Sequence, residues 1–385
     1  MTIELGQGTG PLRGVRVVEL AGIGPGPHAC MILADLGADV IRIDRPGGQT
    51  LTAGAHDLLN RGRPSVALDL KHPDGVATVL DLVATADVLV EGLRPGTTER
   101  LGVGPDECRA RNRRLVYGRM TGWGQDGPLA RTAGHDLGYV AITGALFGQG
   151  QDRARPHFPT NLIGDFGGGS TYLVIGILAA LLEAGRSGEG QVVDAAIVDG
   201  AAHLNAMAAG FLAGGLLKEE RVANLLDGGA PFYDLYETAD GRHLAIAALE
   251  PQFYDELVTG LGLAGTVPDR DDPANHPELR RIIADAVRGR TQAAWVEVFE
   301  GTDACVAPVL PMTEAFEHPH LTARGTFVER DGTTQPAPAP RFSRTAPSLT
   351  SPPPEAPGAQ TRAALDAWGI ADVDRLLESG AAVQI

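Results

Sequence analysis

Up to residue 120, the chain alternates between short apolar runs and stretches with apolar residues at helical spacing. The apolar runs predict strands at 15–20, 38–43, 65–70, 87–91 and 115–120, and the other stretches predict helices at 28–36, 73–84 and 97–101. A strand, a helix and a strand within ~30 residues form a unit whose two strands are parallel. The pattern therefore predicts an α/β fold with a Rossmann-like open parallel sheet, whose ligands bind beyond the carboxyl ends of the strands.

Beyond residue 130 the apolar pattern changes to longer helices and a second group of strands. It predicts helices at 139–146, 166–183 and 192–217, a hairpin with strands at 232–237 and 243–248, and further helices at 252–261, 277–289, 291–300, 361–368 and 371–377. We therefore expect a large Rossmann-like domain over 1–220 and a smaller α+β domain over 225–325. A proline-rich return segment with C-terminal helices, 326–385, is expected to pack on the large domain.

Composition and charge exclude several classes of protein. The chain has 32 Lys and Arg against 48 Asp and Glu, so its net charge is −16, which disfavours nucleic acid as a partner. The cysteines, Cys30, Cys108 and Cys305, form no CxxC pair, so neither a disulfide framework nor a metal site is indicated. The N-terminus has no signal-peptide pattern, and the longest apolar run, 172–182, is too short to span a membrane. We expect a cytoplasmic protein without a membrane partner.

The negative charge is unevenly distributed. Residues 42–131 hold 13 Lys and Arg and 11 Asp and Glu, a balance of +2, so the remainder carries 19 − 37 = −18. Such a stretch in an acidic protein suits a small phosphorylated ligand. The alternative is a general arginine bias, because Lys71 and Lys218 are the only lysines.

A glycine- and proline-rich turn, 22–27, joins the first predicted strand to the first helix. Strand, glycine turn, helix and strand followed by Asp44 resemble a dinucleotide-binding fingerprint. Pro27, however, stands where the third glycine of that fingerprint packs helix on strand. An NAD-dependent oxidoreductase is therefore disfavoured, and a tight turn in a Rossmann-like sheet is the preferred interpretation.

Three acid–base candidates stand next to predicted helix starts: His135, Asp165 and Glu250. His135 precedes Asp136, which is a candidate cap of the following helix, and Asp165 begins a glycine-rich helix start where an anion is favoured. Each also has a structural interpretation: His135 as a capping or core histidine, and the two carboxylates as helix caps. Spacing alone does not unite the three.

Several unusual strings give the chain a resemblance to a known family. They are 12–22 (LRGVRVVELAG), 34–46 (ADLGADVIRIDRP), 121–125 (TGWGQ) with 127–128 (GP), 134–136 (GHD), 164–168 (GDFGG), 190–194 (GQVVD), 226–233 (LDGGAPFY), 250–254 (EPQFY) and 301–305 (GTDAC). With these strings the chain resembles the alpha-methylacyl-CoA racemases of the family III CoA-transferase (CaiB/BaiF) superfamily, over about residues 11–350. Two details depart from the family pattern: the loop 47–56 is longer than usual, and Gln360 replaces a frequent histidine.

The resemblance implies inversion of the α-carbon of a 2-methyl-branched acyl-CoA thioester, with no cofactor and no metal. His135 and Asp165 match the family's acid–base pair, the histidine serving the (S) face and the aspartate the (R) face. For Asp165 to donate a proton its pKa must rise, and burial beside Ile163 and Phe166 is expected to raise it. Glu250 matches the carboxylate that orients the histidine. The backbone N–H of Asp136 matches the oxyanion donor.

The resemblance also implies how CoA binds and how chains assemble. The positions that match the family's CoA-lining segments are Arg45, Leu68, Asp69, Leu70, Lys71, Gly92, Leu93, Arg94, Arg100, Gly134 and Tyr139. Arginine side chains at these positions would bind phosphate groups through two parallel hydrogen bonds. Family members are interlocked homodimers with the active site between subunits, so a homodimer is expected.

Two other functions stay open from the sequence. In a CoA-transferase of the same superfamily, Asp165 would be the nucleophile that moves CoA between carboxylic acids, and no histidine base would be needed. Transferases commonly carry Tyr-Asp where this chain has His135 and Asp136, which favours the racemase. A non-catalytic CoA-binding protein is disfavoured by the intact acid–base set. The acyl group is not specified: branched fatty acyl, sterol side-chain and 2-arylpropionyl groups all remain open.

Overall fold

The computed structural model describes residues 3–48, 52 and 54–385, so the loop 47–56 lies partly outside the described residues. The chain forms two compact units. The first consists of the chain up to Thr143, of Pro159–Leu204 and of His320–Ile385, and the second of Gly144–Phe158 and Asn205–Pro319.

Strands dominate the centre of each unit. Within the described residues they are β1 (Arg16–Leu20), β2 (Asp39–Asp44), β3 (Ser65–Leu68), β4 (Val88–Glu91), β5 (Val116–Thr121), β6 (Val192–Ala196), β7 (Tyr233–Glu237), β8 (His243–Ala247), β9 (Val306–Pro308), β10 (Phe327–Arg330), β11 (Thr333–Pro336) and β12 (Ala382–Val383). The first unit holds a seven-stranded sheet in the order β12-β3-β2-β1-β4-β5-β6. All neighbours in it are parallel except β12, which runs antiparallel to β3. The predicted Rossmann-like sheet is confirmed.

Helices connect these strands. They are α1 (Pro25–Asp35), α2 (Pro73–Val83), α3 (Thr97–Leu101), α4 (Pro105–Arg111), α5 (Asp136–Ala141), a π-helix (Leu162–Ser170), α6 (Thr171–Ser187), α7 (Ile197–Leu204), α8 (Ala206–Ala213), α9 (Pro251–Gly260), α10 (His276–Val287), α11 (Gln292–Phe299), α12 (Met312–Ala315), α13 (Pro319–Arg324), α14 (Thr361–Ala367) and α15 (Val373–Glu378). Short 3₁₀ turns lie at Gly54–His56, Leu58–Asn60 and Pro273–Asn275. Most predicted elements form within a few residues of their expected bounds.

The helix predicted over 192–217 is wrong at its start. Val192–Ala196 is strand β6, which pairs with β5 from Tyr117 opposite Val192 to Thr121 opposite Ala196. Gly190 lets the chain approach the carbonyl of Leu115 so closely that a Cβ would lie 2.0 Å from that oxygen. Pairing with an open sheet edge therefore overrides the helix propensity of the alanines.

The core of the first unit has a layer on each face of the sheet. One layer joins the strands to α2, α14 and α15, and the other joins them to α1 and α6. The C-terminal segment reaches the sheet because β12 pairs Ala382 with Leu68 and because Thr361 Oγ1 accepts the N–H of Ala67 at 3.0 Å. The hairpin β10–β11 was not predicted from the proline-rich segment, and it contributes the buried Gln335.

The π-helix and α6 form one continuous helix, Leu162–Ser187, which by length and composition could cross a membrane. This helix is longer than the apolar run 172–182, from which no membrane span was expected. Leu173, Val174 and Ile177 on one of its faces are buried against the sheet, which is the packing of a core helix. In the second unit, β7, β8 and β9 form an antiparallel sheet, and the predicted hairpin around Gly241 is present.

Candidate active site

A cavity of about 550 Å³ lies at the carboxyl edge of the large sheet. The loops that follow β1, β4 and β5 line it, together with the start of α5 and the π-helix. The predicted site residues on its wall are Gly92, Leu93, Arg94, Gly134, His135, Asp136, Tyr139 and Asp165. The cavity therefore holds both members of the predicted acid–base pair.

His135 is neither a capping nor a core histidine. It occupies the N-cap position of α5 with an extended backbone, but its side chain makes no capping hydrogen bond. The residue is exposed, and its main-chain carbonyl accepts the N–H groups of Gly138 and Tyr139. No described residue hydrogen-bonds its imidazole, which is thus free to act on a ligand in the cavity.

We expected the Asp136 carboxylate to cap its own helix, but it does not. Its Oδ1 instead accepts the backbone N–H of Asp165 at 2.7 Å, in the first turn of the π-helix. Gly164 makes room for this bond, because a Cβ at Gly164 would lie 2.1 Å from Asp136 Oδ1. Asp136 therefore joins the helix start that follows His135 to the segment that carries the acid. π-Helical segments of this kind often occur at functional sites.

Asp165 is half-buried, and the protein raises its pKa. Burial is the main cause, and the negative charge of Asp136 acts in the same direction. Asn161 Nδ2, which donates to Asp165 Oδ2 at 3.1 Å, lowers the pKa, as does the charge of His135. Because the net direction is upward, the protonated form of Asp165 that a proton donor needs persists to higher pH than for an ordinary aspartate.

The glycine turn 22–27 lies against the side chain of Asp165. Gly24 has φ 68° and ψ −117°, a conformation open essentially only to glycine. A Cβ there would lie 3.2 Å from Asp165 Oδ2, so the missing side chain leaves room for the carboxylate. Buried arginines hold the turn: Arg42 donates to the carbonyl of Gly22 at 3.3 Å, and Arg63 to that of Pro27 at 2.8 Å.

The buried arginines correct the interpretation of the basic stretch. Arg42 and Arg63 both pair with the buried Glu19, at 2.6 and 3.1 Å. Two further buried arginines pair with acids at 2.5 and 2.9 Å, in the pairs Arg61–Asp35 and Arg119–Glu91. Because these four arginines are buried and already paired with acids, they are not available to ligand phosphates.

The residues predicted to bind CoA lie in several different environments. Arg45 follows β2 and Lys71 follows β3, so both stand beyond the carboxyl ends of neighbouring strands, and both are exposed. Arg94 is exposed on the cavity wall, and its guanidinium makes no hydrogen bond or ion pair with any described residue. Arg100 is exposed on α3, where it donates to Thr97. Leu68 is 1% exposed and packs in the core.

Glu250 lies in the second unit, at the N-cap position of α9. Its exposed carboxylate does not cap that helix and accepts no hydrogen bond from the described residues, so the interpretation as a helix cap is wrong. Arg270 holds the preceding turn by donating to the carbonyls of Ala248 and Leu249 at 3.2 and 2.9 Å. The same guanidinium lies 4.7 and 4.6 Å from the ring centroids of Phe232 and Tyr254.

Two residues near Asp165 were not found from the sequence. Asn161 stands four residues before Asp165, a spacing that could have indicated contact on a helix. His28 hydrogen-bonds the π-helix from α1, and no local pattern signals that contact. Tyr139, which was predicted, packs edge-on against Trp123 at 4.7 Å, and its hydroxyl donates to the carbonyl of Gly134.

The fold and this site together define an α/β enzyme of the CoA-handling type, and the comparison with known families agrees. The chain matches the CoA-transferase family III over residues 12–361 and belongs to that family. Alpha-methylacyl-CoA racemase from Mus musculus is 45% identical over 336 residues, 87% of each chain. The Homo sapiens racemase is 43% identical over 333 residues, 85% of this chain and 86% of its own. A CAIB/BAIF family protein from Brucella suis is similar in structure, with a TM-score of 0.79 and 28% identity over 93% of this chain and 100% of its own.

Proposed function

We propose that this chain is a racemase that inverts the α-carbon of 2-methyl-branched acyl-CoA thioesters: one base removes the α-proton to give a planar enolate, and an acid adds a proton to the opposite face. The observation that carries the proposal is that His135, with a free imidazole, and Asp165, with a raised pKa, line the same cavity. The identity of 43–45% to two alpha-methylacyl-CoA racemases supports it.

The proposed reaction balances with these two groups alone. From the (S) substrate, His135 takes the α-proton, and the C–H electron pair delocalises into the thioester carbonyl to give an enolate. Protonated Asp165 then gives its proton to the opposite face, and the carbonyl reforms. The (R) substrate runs the same steps in reverse. Exchange of protons with water resets both groups.

Other groups fill three further roles in this proposal. The backbone N–H of Asp136, the first in α5, has no carbonyl partner within the helix and is assigned to the enolate oxygen. Glu250 is assigned to orienting the histidine. Arg45, Lys71, Arg94 and Arg100 are assigned to the phosphates of CoA, because exposed cations beyond the carboxyl ends of parallel strands suit such a ligand.

The decisive experiment follows a single-enantiomer 2-methylacyl-CoA in deuterated water. The wild-type protein should give both enantiomers with deuterium at the α-carbon, and the variants His135→Ala and Asp165→Ala should lose inversion. His320→Ala, which removes an exposed histidine, is the matched control and should react like the wild type. Transfer of CoA to a second carboxylic acid without inversion would establish the CoA-transferase instead, with Asp165 as the nucleophile.

We also infer a homodimer, and the apolar surface of the second unit supports this. None of the residues of α8 is buried, and Met207, Leu212 and Leu216 are 58%, 47% and 75% exposed. A second copy would remove this surface from water, as in the interlocked dimers that the family resemblance implies. Light scattering should give twice the chain mass for the wild type and a smaller mass for Met207→Glu combined with Leu212→Glu. A wild type with the mass of one chain would contradict the dimer.

A further inference from the structure

His28, a residue of α1, contacts the π-helix at two points. Its Nδ1 lies 2.6 Å from Ser170 Oγ, and its ring centroid lies 4.4 Å from that of Phe166 at an interplanar angle of 32°. Ser170 and Phe166 both belong to the π-helix that carries Asp165. Phe166 directly follows Asp165 and lines the cavity with it, so His28 holds the immediate neighbour of the acid.

The hydrogen bonds around Ser170 show that Nδ1 of His28 carries a proton. Ser170 Oγ lies 3.0 Å from the carbonyl oxygen of Phe166, which can only accept, so the serine hydroxyl donates to it. The remaining bond to Ser170 Oγ must then be donated by Nδ1–H of His28. Ser170 is fully buried, so water does not compete for either bond. The three residues therefore form a directed chain from α1 into the π-helix.

His28 is uncharged at neutral pH, so this hydrogen-bond chain keeps its direction there. Burial lowers the pKa of His28 to about 4, and the charges of Arg61 and Arg63 act in the same direction. The imidazole is thus neutral at neutral pH. His28 is not among the residues that line the cavity, so its role is assigned through its two contacts with the π-helix.

We propose that His28 is a positioning residue for Asp165: by its bond to Ser170 and its tilted ring contact with Phe166 it fixes the π-helical segment that presents the acid. This inference rests on the proposed racemase function. The proton transfers at the two faces of the substrate then depend on His28 to different degrees. Proton transfer by Asp165 requires it, whereas proton abstraction by His135 does not.

The test measures deuterium exchange and inversion separately for each enantiomer of a 2-methylacyl-CoA. In His28→Leu, which keeps volume but loses the donor, inversion should fall about ten-fold or more, because a small misplacement of a reacting group is costly. Exchange from the (S) enantiomer should stay within about three-fold of the wild type, because His135 returns a deuteron to the same face. Exchange from the (R) enantiomer should fall together with inversion.

Further variants separate positioning from folding. His28→Asn, which retains an N–H donor, should recover part of the inversion rate, and Ser170→Ala should reproduce the asymmetry because it removes the same bond from its other end. His320→Ala should behave as the wild type. Equal loss of exchange from both enantiomers, or no loss in either His28→Leu or Ser170→Ala, overturns the proposal. A wild type that neither exchanges nor inverts overturns the proposed function itself.

Discussion

The Asp136 carboxylate accepts the backbone N–H of Asp165 at 2.7 Å, so the residue after the candidate base holds the backbone of the candidate acid. The two groups are 29 positions apart in the chain, and one short bond joins their segments. The negative charge of Asp136 also helps to raise the pKa of Asp165. Asp136 therefore influences both the position and the protonation of the acid.

Replacing Asp136 should separate these two effects. Asp136→Asn keeps an oxygen acceptor but removes the charge, so the pKa of Asp165 should fall. The (S)-to-(R) rate, which needs protonated Asp165, should then decline at lower pH than in the wild type, as measured by a pH–rate profile. Asp136→Ala loses the acceptor as well and should cost about 1–2 kcal/mol of unfolding free energy. A profile that moves to higher pH in Asp136→Asn would contradict this electrostatic account.

A methyl group at Gly24 should disturb Asp165 directly. The Cβ of Gly24→Ala would lie 3.2 Å from Asp165 Oδ2, so the carboxylate must move, and we expect at least a ten-fold loss of inversion rate. Gly47→Ala is the matched control, because Gly47 also has φ 68° but nothing within 4 Å of an added Cβ. The control should lose about 1 kcal/mol of stability and no activity. Equal losses of activity in both variants would show that backbone strain, and not contact with Asp165, causes the loss.

The exposed arginines at the carboxyl edge should determine affinity for the nucleotide part of CoA. Arg45→Gln and Arg94→Gln should each raise KM about ten-fold with little change in kcat, because a charge-assisted bond to phosphate is lost. With an acyl-pantetheine substrate, which lacks the nucleotide, the effect should disappear. Arg113→Gln is the control, since Arg113 is paired with Glu189 on the loop that precedes β5, beyond the amino ends of the strands. An unchanged KM in both variants would place the phosphates elsewhere.

Arg270 should act on activity through Glu250. Arg270→Met removes both bonds to the turn that presents Glu250, so kcat should fall several-fold and the second unit should lose about 1–3 kcal/mol of stability. Because the two residues serve one function, adding Glu250→Gln should cause little further loss of kcat. Arg281→Met, which breaks an exposed pair with Asp285 on α10, should leave both quantities unchanged. Fully additive losses would make Arg270 a purely structural residue.

The buried imidazole of His28 should make stability depend on pH in the acid range. Its folded pKa of about 4 lies below the ordinary value of 6.5, so the unfolded chain binds more protons between these values. The stabilisation is complete above about pH 6.5 and is lost as the pH falls towards 4, by about 2 kcal/mol after allowance for partial exposure. Urea unfolding at pH 7 and pH 4.5 should show a smaller difference for His28→Leu than for the wild type. An identical difference would assign the acid sensitivity to other groups.

The local features of the fold were predictable because they depend on neighbours in the chain. The spacing of apolar side chains that predicts β1, α1 and β2 repeats every two to four residues. Each element can therefore be predicted from its own pattern of apolar side chains. The position of the site at the carboxyl edge followed from the succession of strands and helices, since parallel strands all end on one side of the sheet. His135, Asp165 and Glu250 were identified from short strings that resemble the family.

The tertiary structure decided what depends on distant partners. Val192–Ala196 became a strand because an open edge of β5 was available, and Ala382–Val383 because β3 offered the other edge. The partner of Asp136 and the burial of Arg42 and Arg63 beside Glu19 likewise join segments far apart in the chain. Periodicity reports which face of an element is apolar. Hydrogen bonds and ion pairs between elements form only when folding brings their atoms within about 3 Å, and no local pattern records that approach.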